Sequence, residues 1–175
     1  YASYFHIMFE EIDRINNIIG EFLSLARNKS SGFIRENLNN IINAIYPLIQ
    51  AEAIKNGNNI ILELGNIYDI PVVPEDIRQL IFNLVRNGLE AMPTGGNLTI
   101  RTYIMNDEII LEVADEGTGI SPDIIDVIGS PFYTTKDTGT GLGLAISNNI
   151  AIQHNATLNF KANPKGTSFY IQFKH

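Results

Sequence analysis

The chain has 175 residues, of which 45% are hydrophobic and 18% charged, an ordinary profile for a folded globular protein. Nineteen acids against twelve bases leave a formal charge of −7, which lacks the basic footprint of a nucleic-acid binder and leaves anion binding to local devices. The absence of cysteine excludes disulfides, thiolate catalysis and cysteine-held metals, and no apolar run approaches the roughly 18 residues needed to span a bilayer, so no membrane contact is expected.

In chain order, Phe5, Met8, Ile12, Ile15, Ile19, Phe22 and Ala26 are spaced alternately three and four apart, a heptad seam. A helix over 5–26 is about 33 Å long, and an apolar seam of that length calls for partner helices. The spacing therefore predicts an arm of a helical bundle, with a homodimer as its natural setting. Asn28 to Gly32 carries turn formers and reads as a linker. The expected division is residues 1–28 as the bundle helix, 29–35 as linker and 36–175 as the main domain. Opening at Tyr1, the chain reads as a fragment of a longer parent.

A second helix is predicted from Glu36 to about Asn56, kinked at Pro47, which lacks an N–H and crowds the preceding turn. Short strands follow at Asn59–Leu64 and about Asp69–Val73, then a third helix at Glu75–Met92. Asn97–Met105 and Glu108–Asp115 form a hairpin around Asn106 and Asp107. Ser121–Ile128 reads as a short helix capped by Ser121. A glycine-rich loop from Gly129 to Gly141 leads into a helix from Leu142 to about His154, and strands at Thr157–Lys161 and Thr167–Phe173 close the chain. The sum is an α+β fold: a two-layer sandwich with a mixed, largely antiparallel sheet covered by helices on one face, plus the N-terminal bundle helix.

Four segments carry candidate chemistry. On the third helix Gln79, Asn83 and Asn87 form a polar stripe, with Arg86 and Glu90 beside it. Two asparagines one turn apart oppose helix propensity, and an amide oxygen is a suitable hard ligand for Mg²⁺ shared with substrate phosphates. The same amides would serve equally well to tie down neighbouring loops. Asp115 to Ile120 (DEGTGI) ends a strand where a carboxylate suits an exocyclic amine and glycines admit a flat ring; an ordinary strand-ending turn has the same composition. Gly139 to Leu144 (GTGLGL) opens a helix whose first N–H groups suit phosphate, although it is neither a P-loop nor a dinucleotide fingerprint. Pro131 to Lys136 (PFYTTK) has the composition of a lid over phosphates, or of a solvated loop. His6, His154 and His175 show no metal-ligand spacing and read as structural, with His154 partly cationic at a helix C-terminus.

Taken in order, these segments resemble the ATP-binding domain of bacterial sensor histidine kinases, a fold shared with DNA gyrase B subunits, the mismatch-repair clamp protein and a large heat-shock chaperone. QLIFNLVRNGLEAM at 79–92 resembles the asparagine box, DEGTGI the first glycine box, PFYTTK the phenylalanine box and GTGLGL the second glycine box. Gly166 and Thr167 match a further glycine–threonine element, and Tyr4–Asn28 resembles the second helix of the dimerisation and phosphotransfer hairpin. The EAM ending is similar to sporulation- and nitrogen-regulation-type kinases.

The resemblance implies that ATP or ADP binds with Mg²⁺, the metal on Asn87 and the phosphates near Asn83; Arg86 is the residue expected to stand in for the lysine that some members have at position 90. It implies Asp115 at the adenine amine with Gly117, Gly119, Ile120 and Thr167 around the base. Gly139, Thr140, Gly141, Leu142 and Gly143 would lie on the phosphate side, with Thr135 and Lys136 in the lid. It also implies transfer of the γ-phosphoryl to a histidine and then to a response regulator, in the cytoplasm. The phosphoacceptor pattern does not occur here, so no autophosphorylation of this chain alone is expected. Gly88 stands where alanine is usual, Glu90 where some members have lysine, and Asn155 where glycine is common. The alternatives are a nucleotide- or partner-binding regulatory scaffold without kinase chemistry, and a serine kinase or ATPase of the same fold.

Overall fold

The computed structural model describes residues 4, 5, 8, 9, 12, 15, 19, 20, 23, 32–135 and 139–174. The described residues before 24 are helical, and Phe5, Met8, Ile12, Ile15 and Ile19 of the seam are all exposed. Phe22, Ala26, His6, His175 and the linker residues before Gly32 lie outside the described residues.

Strand β1 (Ile34–Glu36) pairs antiparallel with β3 (Ile70–Val72), Ile34 opposite Val72. This corrects the expected linker, which extends through Arg35, and the expected helix start at Glu36. Three residues are too few to show alternation, and the partner strand is far along the chain. Asn37 then caps helix α1 (Leu38–Lys55), its Oδ1 accepting from the Asn39 amide at 3.0 Å. The helix runs through Pro47 without interruption.

The main sheet has the order β2-β4-β5-β7-β6, with β2 (Asn59–Leu64), β4 (Asn97–Met105), β5 (Glu108–Asp115), β6 (Ala156–Asn163) and β7 (Gly166–Phe173). Only the β2–β4 pair is parallel, so the sheet is mixed and largely antiparallel as expected. The β4–β5 turn places Asn106 and Asp107 at φ of 52° and 64°, the left-handed pair that matches strand twist in a two-residue hairpin.

Helices α1, α2 (Pro74–Ala91) and α3 (Gly143–Gln153) cover one face of this sheet. Ile100, Leu111, Val113 and Ile171 from the strands form one core with Ile42, Ile49, Leu80, Leu84 and Ile146 from the helices. Truncating such a residue to alanine costs about 2–5 kcal/mol. On the sheet's other face Arg101 bridges Glu63 of β2 and Glu112 of β5. The hydrogen bond with Glu63 is the main cause that holds the guanidinium even more firmly charged than usual.

Two local expectations are corrected. Ser121–Ile128 is not a helix beyond a single 3-10 turn at Pro122–Ile124, and the Ser121 hydroxyl meets the Asp123 carboxylate at 3.4 Å rather than capping a backbone amide. Ile125 and Val127 stay exposed and Ile124 and Ile128 are only half-buried, so the segment buries too little apolar surface to offset helix nucleation.

His154 is the second correction. It is buried at the end of α3, where its Nδ1 lies 2.8 Å from the Ile150 carbonyl and its Nε2 accepts from the Val73 amide at 3.0 Å. An amide only donates, so the ring is neutral with its proton on Nδ1. It joins the end of α3 to the start of α2 rather than answering a helix dipole. Asn155 follows at φ of 52°, a left-handed conformation that asparagine tolerates where glycine is commoner.

Candidate functional site

Helix α2 supplies one wall of a cavity of about 420 Å³. Its apolar stripe of Ile77, Leu80, Ile81 and Leu84 is fully buried, which turns Asn83, Arg86 and Asn87 towards the cavity. The Asn83 Nδ2 donates to the Gly143 carbonyl at 3.2 Å, tying the asparagine stripe to the first residue of α3 and leaving Oδ1 as the acceptor end of that amide. Ser147 donates to the same carbonyl at 2.9 Å. The local-tie reading of the amides therefore holds for Asn83.

Asp115 ends β5 at the other end of the cavity and is buried. Its Oδ1 accepts from the Gly117 amide at 2.8 Å and from the Thr167 amide at 3.2 Å. Both are backbone donors, so the side chain is fixed by the fold itself. Gly88 of α2 lies directly against it; a Cβ there would stand 3.2 Å from Asp115 Cβ. At Gly117 a Cβ would stand 2.7 Å from the Ala91 carbonyl oxygen and from Asp115 Oδ1. The carboxylate thus sits in a cradle that any larger side chain would fill.

The third wall is the glycine-rich loop. Helix α3 starts at Leu142 without a side-chain cap, so its first-turn N–H groups have neither a helical acceptor nor a capping side chain. The loop is closed across itself by the Phe132 amide donating to the Gly141 carbonyl at 3.0 Å. Gly141 takes φ of 69°, and a Cβ there would meet the Phe132 carbonyl carbon at 2.5 Å; only glycine permits this closure.

Asn83, Arg86, Asn87, Asp115, Gly119 and Ile120 all line this one cavity, as do Thr135, Gly139, Thr140, Gly141, Gly143 and Thr167. Among the described residues two expected ones, Gly117 and Leu142, do not. Gly117 stands behind Asp115 as its donor. The Leu142 side chain is fully buried in the core, and its amide donates to Thr140 Oγ1 at 3.3 Å. Lys136 lies outside the described residues. Tyr133, Leu144, Phe169 and Glu90 also line the cavity. Phe169 follows Thr167 by two on β7 and so shares its face; the Tyr133 position depends on the loop path, which no periodicity reveals.

Among the described residues no cluster of three or more His, Asp or Glu could hold a metal by itself. The amide oxygens of Asn83 and Asn87 are hard ligands on the cavity wall that would suit Mg²⁺, with ligand phosphates and water completing its shell. A second, larger cavity of about 1000 Å³ lies along the helical face between Leu23, Leu48, Phe82 and Ile146. It contains none of the glycine-rich loop.

The segment 72–175 matches the family model of histidine kinase-, DNA gyrase B- and HSP90-like ATPases. The chain belongs to this ATPase family. Within it, the curated relatives are kinases. Sporulation kinase E of Bacillus subtilis (strain 168) is 35% identical over 98% of this chain and 24% of its own length. The sensor histidine kinase ZraS of Escherichia coli (strain K12) is 31% identical over 94% of this chain and 36% of its own length. The chain thus spans between about a quarter and two-fifths of the curated relatives it matches. Histidine kinase ThkA, solved in complex with the response regulator TrrA, superposes with a TM-score of 0.80 at 26% identity over 97% of this chain and 50% of that one. Full-length ShkA with AMPPNP superposes at 0.86 and 20% identity over 98% of this chain and 38% of that one, a likeness of fold. The ATPase-family fold matches the architecture expected from the four boxes. Among the described residues no helix is long and apolar enough to cross a membrane.

Proposed function

We propose that the chain is the ATP-binding catalytic part of a two-component sensor histidine kinase, with residues 1–28 as the second helix of its dimerisation hairpin, 29–35 as the linker and 36–175 as the catalytic domain. The observation that carries this reading is the convergence of three backbone-fixed elements on one cavity: the α2 asparagines, Asp115 and the loop opening α3. The adenine amine donates to Asp115, with Gly119, Ile120 and Thr167 around the ring. Asn87 offers its amide oxygen to Mg²⁺, which supplies charge neutralisation across the phosphates when bound. Asn83, Arg86 and the Gly139–Gly143 loop that opens α3 hold the phosphate chain, under a lid that includes Thr135 and Lys136.

These residues do positioning work, and phosphoryl transfer needs little else. Protein groups at both ends of the nucleotide limit the orientations in which its γ-phosphoryl can be presented to the acceptor. A histidine outside this chain attacks there: a P–N bond forms, the bond to the β–γ bridging oxygen breaks, and ADP keeps the electron pair. The phosphoryl group then passes to a response regulator aspartate. The named complex of ThkA with a response regulator supports such a partner, and the exposed seam residues Phe5, Met8, Ile12, Ile15 and Ile19 support a homodimer; the proposed setting is the cytoplasm.

The test is to incubate the full-length parent kinase with radioactive ATP and identify the labelled residue by its acid lability. Acid-labile phosphohistidine that moves to a regulator supports the reading. An unlabelled parent whose domain still binds nucleotide favours a regulatory scaffold, and phosphoserine on a partner favours a serine kinase of the same fold.

A further inference from the structure

Glu90 is a carboxylate on the wall of a cavity built for an anion. It lies one helical turn beyond Arg86 on α2, and both side chains line the nucleotide cavity. The Arg86 Nε donates to Glu90 Oε1 at 2.9 Å. Among the described residues Arg86 is the only lysine or arginine on the cavity wall, against the two carboxylates of Glu90 and Asp115. Asp115 faces the base end, where Gly88 packs on it. Glu90 therefore supplies the negative charge that stands beside Arg86.

We propose that Glu90 sets the nucleotide affinity of the site by holding Arg86, so that the phosphate chain must displace Glu90 to gain the guanidinium. This rests on the ATP-binding reading given above. The exchange is within reach. The Arg86 and Glu90 side chains are 63% and 34% exposed, and an ion pair so open to water is weak and salt-screened. A phosphate matches the planar fork of arginine better than one carboxylate oxygen on Nε does. The pair thus breaks when a polyphosphate arrives, and the cost of breaking it comes off the binding free energy. Glu90 also repels each phosphate directly, so its effect grows with the number of phosphates on the ligand and leaves the base unaffected. The consequence is a site that discriminates less between ADP and ATP than an unpaired Arg86 would allow, and that releases product readily.

The experiment is calorimetric titration of the 175-residue chain with AMP, ADP and AMPPNP in the presence of magnesium, at low and high salt. The variants are Glu90→Gln, Arg86→Gln and the double substitution, with Glu90→Ala as a second removal of the charge. Removing the carboxylate is expected to tighten AMPPNP by about three- to tenfold, as one screened charge at a few ångströms implies. The gain is expected to be smaller for ADP, smallest for AMP, reduced at high salt and mostly lost when Arg86 is also replaced. A merely structural role for Glu90 would move all three ligands alike and ignore salt. Unchanged or weaker AMPPNP binding in both Glu90 variants overturns the proposal while the wild-type affinity keeps the ATP-binding reading. Failure of the wild type to bind any of the three overturns both.

Discussion

Asp115 and Thr167 stand in register across β5 and β7, and the Thr167 amide donates to Asp115 Oδ1 at 3.2 Å. With the Gly117 amide on the same oxygen at 2.8 Å, the carboxylate is held by backbone at Oδ1, and in the proposed arrangement it accepts from the adenine amine. In Asp115→Asn the amide oxygen keeps both backbone donors and Nδ2 takes the ligand end. An acceptor becomes a donor there. Adenine nucleotides should bind at least about tenfold more weakly, as for a lost charge-assisted hydrogen bond, with guanine nucleotides unaffected and the melting temperature little changed. Competition between ATP and GTP for a fluorescent nucleotide measures this, and an equal loss for both bases would remove the contact.

Gly88 makes a sharper separation between stability and binding. Alanine there gains up to about 1 kcal/mol of helix propensity, but its Cβ would stand 2.6 Å from Leu98 Cδ1 and 3.2 Å from Asp115 Cβ. The leucine terminus can turn aside, whereas Asp115 is fixed by two backbone bonds and must shift. Gly88→Ala is expected to alter stability by less than about 1 kcal/mol and to weaken adenine nucleotide binding. Urea unfolding and calorimetry on one preparation distinguish the two effects.

Gly166 turns the chain between β6 and β7 at φ of 141°, and a Cβ there would fall 1.9 Å from the Asp115 carbonyl oxygen. Backbone cannot yield as a side chain can. Gly166→Ala should cost more than about 2 kcal/mol through strain and loss of the adjoining register, seen as a lowered urea midpoint, and a neutral substitution would contradict the close approach.

The acid limb of stability depends in part on Glu36. Hydrogen bonds from Asn40 first, and then from the Asn37 amide, hold its carboxyl below the ordinary glutamate value of 4.5. A carboxylate with a depressed pKa in the folded chain contributes stability above that ordinary value and loses it as pH falls through the depressed one. Glu36→Gln should therefore flatten the decline of melting temperature below about pH 4.5 relative to wild type. An unaltered acid limb would assign that decline to other carboxylates.

Elements with strong local signals were legible from sequence. The α2 stripe came from its 3.6-residue period, and the β4–β5 hairpin from alternation around Asn106 and Asp107, with bounds that agree with the structure. What stayed hidden is non-local. The parallel β2–β4 pair and the insertion of β7 between β5 and β6 leave no trace in neighbouring residues. The His154 bond to Val73 spans 81 positions and reverses the charge state assumed from helix position alone. Ser121–Ile128 misled because a serine before apolar residues has the look of a capped helix, while Ile125 and Val127 have nothing to pack on. For the cavity, residue types pointed to Asn83, Asn87 and Asp115, but the pairing of Arg86 with Glu90 needed the helix in place.

The most direct test of the account is calorimetric titration of AMPPNP into wild-type chain and Asn87→Ala, with and without magnesium. The account predicts micromolar binding by wild type that needs magnesium, and no magnesium-dependent binding by a variant whose circular dichroism is unchanged. Equal affinity of the two proteins, or an affinity that ignores magnesium, would contradict the assignment of the metal to Asn87 and with it the proposed arrangement of the triphosphate.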